Sequence, residues 1–285
     1  MDHRITSFSR DGLTFDVADQ GPLDGEIVVL LHGFPQTAAS WSALAPLLHA
    51  EGYRTLAPNQ RGYSPGARPR GRRAYRMSEL VEDVLALYRV TGADRVHVIG
   101  HDWGAAVAWM LAARRPEVVA TLTALSVPHP AAFLKSMVTS GQAVKSWYMV
   151  FFQLPWLPEL LVRLAHRYGR DRAIKVNMAS GQTAENAARD IDFLSGSGAL
   201  TPAINWYRAM PLSSPGQTRQ PVRTRTMLVW GDQDVALGRK GAELTRDYVA
   251  GPYTFHALPG VGHWIPEQVP DQLAEFLRPH LAAAT

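Results

Sequence analysis

The sequence predicts an α/β protein: a mostly parallel central sheet flanked by helices and interrupted by a long helical insertion. Three observations predict it. Six short apolar runs, most of them closed by glycine or proline, have the continuous Val, Ile and Leu content of strands buried on both faces. Helical patterns alternate with these runs. One stretch, from about 130 to 211, holds no buried strand.

The elements follow in order. "ITSFSRDGLTFDVAD" reads as an antiparallel hairpin turned at Asp11 and Gly12. The six runs are "EIVVLLHG" (26–33), "YRTLAPN" (53–59), "DRVHVIG" (94–100), "VVATLTALSVP" (118–128), "TRTMLVWG" (224–231) and "YTFHALPG" (253–260). "SWSALAPLLHAEG" predicts a helix with Ser40 as N-cap and a stop at Gly52. "MSELVEDVLALYRVTG" has Ser78 near its start and Gly92 at its end, and "AAVAWMLAARRP" stops before Pro116. The insertion is rich in Trp, Tyr, Phe and Met and ends in the turn-rich "PLSSPGQTRQPVRT". Residues 1–129 and 212–285 are therefore expected to form one core, with 130–211 as a helical lid. An insertion at the C-terminal end of a parallel strand sits over the crevice where such sheets bind ligands.

Composition narrows the class. Of 285 residues, 46% are hydrophobic and 19% charged, ordinary for a globular protein, and the net charge is +4. Arg61, Arg68, Arg70, Arg72, Arg73 and Arg76 cluster in a Gly- and Pro-rich stretch without a repeating basic–aromatic pattern. That reads as a solvated loop, and nucleic acid is not an expected partner. The chain has no cysteine, which excludes disulfides and thiolate metal sites. The N-terminus lacks the apolar core of a secretory signal. The most hydrophobic stretch, "SWYMVFFQLPWLPELLV", is broken by Pro155 and Pro158, so no membrane span is expected and the cytoplasm is the default location. The ten histidines show no H-E-x-x-H spacing, and neither a metal nor an organic cofactor is expected. Oligomeric state stays open between monomer and homodimer.

The chemistry gathers at the strand tips. "GHDWGA" puts Asp102 after one strand and before a helix, among the small residues Gly100, Gly104, Ala105 and Ala106. A serine in such an elbow would be a hydrolase nucleophile; here the position holds a carboxylate, which the helix N-terminus favours. "LLHGFPQ" puts Phe34 past another strand, where its backbone N–H and that of Trp103 are placed to form an oxyanion hole. "GDQDVAL" offers Asp232 and Asp234, and "GVGHW" offers His263, in the chain order nucleophile, acid, histidine. Spacing does not choose between Asp232 and Asp234.

Taken together, "HGFPQTAASW", "APNQRGYSPGARP", "GHDWGA", "WYMVFFQLPWLP", "INWYRAM", "GDQDVAL" and "GVGHW" resemble the epoxide hydrolase family of the α/β-hydrolase fold over essentially the full length. The resemblance implies that Asp102 is the nucleophile, His263 the base and Asp234 its orienting acid. It implies that Tyr148 and Tyr207 are lid tyrosines binding the epoxide oxygen. Asn59 departs from the family, in which aspartate is commoner.

An aspartate suits such a substrate. An oxirane has no carbonyl, so a carboxylate attacks its strained carbon and becomes an ester, and histidine-activated water then hydrolyses that ester. The expected reactants are a small apolar epoxide and water. The expected pocket wall is Phe34, Trp103, Trp147, Tyr148, Phe152, Tyr207 and Trp264. The alternative is a haloalkane or haloacid dehalogenase of the same fold. Its members commonly carry asparagine at Phe34 or arginine at Trp103, and a halide leaves two phenols without a role.

Overall fold

The computed structural model describes residues 3–213 and 219–283. Strands β1 (Ser7–Arg10) and β2 (Leu13–Gln20) form the expected hairpin, and Asp11 and Gly12 take φ values of 51° and 76° to close it. The six apolar runs become β3 (Ile27–Leu31), β4 (Arg54–Pro58), β5 (Val96–His101), β6 (Val119–Leu125), β7 (Arg225–Gly231) and β8 (Tyr253–Leu258). They lie in one sheet of order β1-β2-β4-β3-β5-β6-β7-β8, antiparallel at β1–β2 and β2–β4 and parallel elsewhere.

The continuous apolar runs are explained by two cores, one on each face. Successive residues of a strand point to opposite sides. Val29 and Leu31 of β3 join a core with α2 (Met77–Thr91) and α3 (Trp103–Arg114), while Val28 and Leu30 join the other with α1 (Ala45–Ala50) and α12 (Pro270–Ala282). Truncating one of these buried leucines to alanine costs about 2–5 kcal/mol.

Helix α2 ends as expected, with Gly92 in the left-handed region at φ 64°. The pattern over 40–52 resolves differently. Thr37, not Ser40, caps a 3-10 turn (Ala38–Trp41), and α1 begins only near Pro46, because proline suits a first helical turn.

The arginine cluster is also only partly a solvated loop. Arg61 is buried, its Nε and Nη2 each donating at 2.7 Å to the Asp83 carboxylate of α2. Arg68 donates to the carbonyls of Gly62, Tyr63 and Ser197, tying the loop to the insertion. Arg70, Arg72, Arg73 and Arg76 are exposed. Asn59, at the position that departs from the family, accepts the Ala38 N–H at 2.9 Å through its side-chain oxygen, a role that a carboxylate fills equally.

Between β6 and β7 the chain runs through α4 (Pro130–Thr139), α5 (Gln142–Lys145), α6 (Trp147–Phe151), α7 (Leu157–Ala179), α8 (Ala184–Gly196) and α9 (Leu200–Ala209). After it, α10 (Arg239–Leu244) and α11 (Ile265–Gln268) follow β7 and β8. Among the described residues no helix is long and apolar enough to cross a membrane.

Candidate active site

Sheet register brings the site together. β3 and β5 are parallel neighbours with Leu31 opposite Gly100, so the residues just beyond them, Phe34 and Asp102, meet. β7 and β8 pair with Gly231 opposite Leu258, which puts the loops carrying Asp234 and His263 side by side. The site thus lies at the carboxyl ends of the parallel strands, as expected for an open α/β sheet.

Asp102 is held in an elbow at φ 51° and ψ −120°, a conformation a non-glycine residue rarely adopts. The turn is tight enough that side chains are excluded around it. A Cβ on Gly104 would lie 2.0 Å from the Leu31 carbonyl oxygen, and one on Gly100 2.4 Å from that of Gly104. Strain at such a point persists where the surroundings over-determine it.

The polar groups converge on this carboxylate. The Phe34 N–H donates to Asp102 Oδ1 at 2.8 Å. Trp103 opens α3, so its N–H belongs to the first-turn donors that have no partner within the helix. His263 Nε2 stands 3.6 Å from Asp102 Oδ2, a charge contact longer than a hydrogen bond. On its other side His263 Nδ1 donates to Asp234 Oδ2 at 2.7 Å. Asp234 is fixed in turn, its Oδ1 accepting the N–H groups of Ala236 and Leu237 at 2.8 and 2.9 Å. The structure thereby separates the two candidate acids. Asp232 points away and accepts from the Gly260 N–H at the surface.

Two residues outside the expected catalytic set steady the histidine. His101 Nε2 and Ser126 Oγ both donate to the His263 carbonyl oxygen, at 2.9 and 2.7 Å. Each lies at a strand tip, beside the elbow and after β6, and that position was the available signal. Burial pushes His101 down to about 4, so it is a neutral donor near neutral pH. His32 is likewise buried and held down at about 4, bonded to Gly33 and Gln60.

The charges of the pair are set by opposing effects. Burial disfavours the carboxylate of Asp102, but the close approach and charge of His263, with smaller help from His101 and the Phe34 N–H, outweigh it and hold the group below its ordinary 3.8. Burial also disfavours the imidazolium, yet Asp234 and Asp102 together push His263 up to about 10. At neutral pH the resting site is a carboxylate facing an imidazolium.

A cavity of about 390 Å3 opens on Asp102. Among the described residues Asp102 is the sole charge on its wall; Trp103, Tyr148 and Tyr207 line it, with Met110, Phe133 and Trp206 among its apolar remainder. Tyr148 and Tyr207, from α6 and α9, have ring centroids 6.0 Å apart. Burial and the nearby Asp102 charge raise both phenols well above 10, so both keep their protons. The Trp103 ring packs edge-on against Tyr207, their centroids 5.0 Å apart.

Four expected wall residues stand elsewhere. Phe34 and Phe152 pack on Tyr207 one layer back, with centroids at 5.4 and 4.9 Å. Trp264 is buried against His263 and donates to Ser180 Oγ at 2.8 Å. Trp147 faces solvent and touches Phe151. Helix α6 turns Tyr148 and Met149 toward the cavity, and one turn cannot point the preceding residue the same way.

Comparisons agree with this geometry. A family model described as alpha/beta hydrolase fold matches residues 26–270. The chain is 35% identical to the AB hydrolase superfamily protein YfhM of Bacillus subtilis, over 95% of each chain. It is 31% identical to Epoxide hydrolase 4 of Homo sapiens, over 94% of this chain and 76% of that one. The solved structure of Epoxide Hydrolase A from Mycobacterium thermoresistibile superposes with a TM-score of 0.79 at 26% identity, covering 97% of both chains. With its elbow, its strand order and these relatives, the chain belongs to the epoxide hydrolase family of the α/β-hydrolase fold.

Proposed function

We propose that this protein converts an apolar epoxide and water into a vicinal diol, with Asp102 as nucleophile. The observation that carries the reading is an ionised carboxylate at the elbow, sharing one cavity with two protonated phenols. The helical insertion 130–211 acts as the lid, supplying both phenols over the core formed by 1–129 and 212–285.

Asp102 attacks an oxirane carbon, forming an ester as the ring C–O bond breaks. The alkoxide takes a proton from Tyr148 or Tyr207. The ester has no charge, so Asp102 no longer supports the imidazolium, and the phenolate recovers its proton at the expense of His263. The neutral imidazole, oriented by Asp234, then takes a proton from water as that water adds to the Asp102 carbonyl. The oxyanion is met by the N–H groups of Phe34 and Trp103. Collapse expels the diol, protonated by His263, and the carboxylate and imidazolium return.

The halide alternative is less well supported. A halide leaves the two protonated phenols on the cavity wall without a role, and the Phe34 side chain is an aromatic ring rather than a donor.

The test is one turnover in heavy-oxygen water. The first diol is expected to carry an unlabelled oxygen, with the label retained in the polypeptide at Asp102. Label in that first diol and none in the protein overturns the scheme. A parallel panel of epoxides scored for diol, and of haloalkanes and haloacetates scored for halide, decides between the two substrate classes.

A further inference from the structure

The helices from α4 to α7 are amphipathic in an inverted sense. Helix α4 buries Ala131, Ala132 and Ser136, α5 buries Gln142, and Ser146 is buried before α6. Six large apolar side chains point the other way. Val138, Val144, Trp147, Val150, Trp156 and Tyr168 are between 64% and 84% exposed. On α7 the outward stripe continues through Leu160, Leu164 and Tyr168, spaced four residues apart. A monomeric protein rarely leaves so much large apolar surface on successive elements without a partner.

The stripe is held in place rather than loose. Arg208 of α9 pins the junction of α6 and α7, donating to the carbonyls of Phe152 and Leu154 and to the Glu159 carboxylate.

Charge identifies the partner. Residues 130–180 hold seven lysines and arginines against two carboxylates, a net charge of +5, where the whole chain carries +4. Arg170 is paired with Asp192, but Arg163 and Arg167 before the kink at Gly169, and Arg172 and Lys175 after it, are exposed without an ion pair among the described residues. A twofold contact between two copies would set these like charges against each other. Exposed tryptophans and leucines flanked by lysine and arginine match an anionic lipid surface.

We infer that the outer face of α4–α7 docks this protein on anionic lipid bilayers. The contact is peripheral, since no described helix is long and apolar enough to cross. The same helices supply Leu134, Tyr148 and Met149 to the cavity wall, so docking sets the cavity's rim against the lipid. That this delivers an apolar epoxide from the bilayer rests on the function proposed above; the docking itself does not.

The experiment is flotation with phosphatidylcholine vesicles, with and without phosphatidylglycerol, and no epoxide present. The wild type is expected to float with the phosphatidylglycerol vesicles at low salt and to be released by high salt. Arg163→Gln with Arg172→Gln should weaken binding about 25-fold, at about fivefold per cation. Trp156→Asn with Tyr168→Ser should weaken it about tenfold or more. Melting curves and turnover of a water-soluble epoxide, both unchanged, establish that these variants are folded. Absence of wild-type flotation, or equal flotation of the variants, overturns the inference. So does a wild-type dimer in sedimentation velocity that Trp156→Asn dissociates. An enzyme that floats but opens no epoxide leaves the docking intact and counts against the proposed function.

Discussion

His263→Gln divides the reaction into its two halves. Glutamine keeps an N–H for Asp234 but offers no base. The first half should survive, because the parts it uses are untouched. Asp102 stays in its elbow with Oδ1 held by the Phe34 N–H, and the proton for the alkoxide comes from a tyrosine. Loss of the imidazolium removes the influence that outweighs burial at Asp102 and lets its pKa rise. The Phe34 N–H, which favours the ionised form, is untouched. The second half loses general base catalysis, worth about 100- to 10,000-fold, or about 3–5 kcal/mol of barrier. Ester should therefore accumulate. Intact-protein mass spectrometry should show a gain equal to the whole mass of the epoxide, since ring opening expels nothing. Rapid-mixing kinetics should show ester formation within about tenfold of wild type. If the variant forms no adduct with an epoxide the wild type consumes, the two-step reasoning fails. It fails equally if diol release is unimpaired.

Tyr148→Phe and Tyr207→Phe should each slow ester formation by about 100-fold, with less effect on ester hydrolysis, measured in single-turnover experiments. The raised His263 pKa has a definite sign: its contribution to stability is fully present below pH 6.5 and is lost as pH rises through about 10. The melting-temperature gap between wild type and His263→Gln should therefore narrow across that window, as read by calorimetry at successive pH values. Asp83→Ala strands the buried Arg61 guanidinium and should cost about 3–5 kcal/mol, visible as a lower midpoint in urea.

The strands and the elbow were legible because their signals are local. Val28 to Leu31 must be apolar on both faces, and the small residues around Asp102 are demanded by carbonyls only 2.0 and 2.4 Å from where a Cβ would be. Other features depend on where distant segments pack. Asp234 and Asp232 are equivalent in spacing, and it takes the N–H groups of residues 236 and 237, together with His263, to hold one of them inward. Arg61 read as a loop cation because its partner, Asp83, lies 22 positions along on α2. Trp147 read as pocket lining because aromatic content does not say which side of a short helix faces the cavity. His101 and Ser126 act through the backbone oxygen of His263, a contact with no pattern in the sequence.

The bond from Phe34 to a single oxygen of Asp102 makes the two carboxylate atoms unequal. In the proposed cycle, with Oδ1 anchored, the other atom would always depart with the product, and the one delivered by water would take the vacated place. Each catalytic cycle would then hand its solvent-derived atom to the next molecule of product, giving the site a memory one event deep. A freely spinning carboxylate would erase that record by half at every cycle.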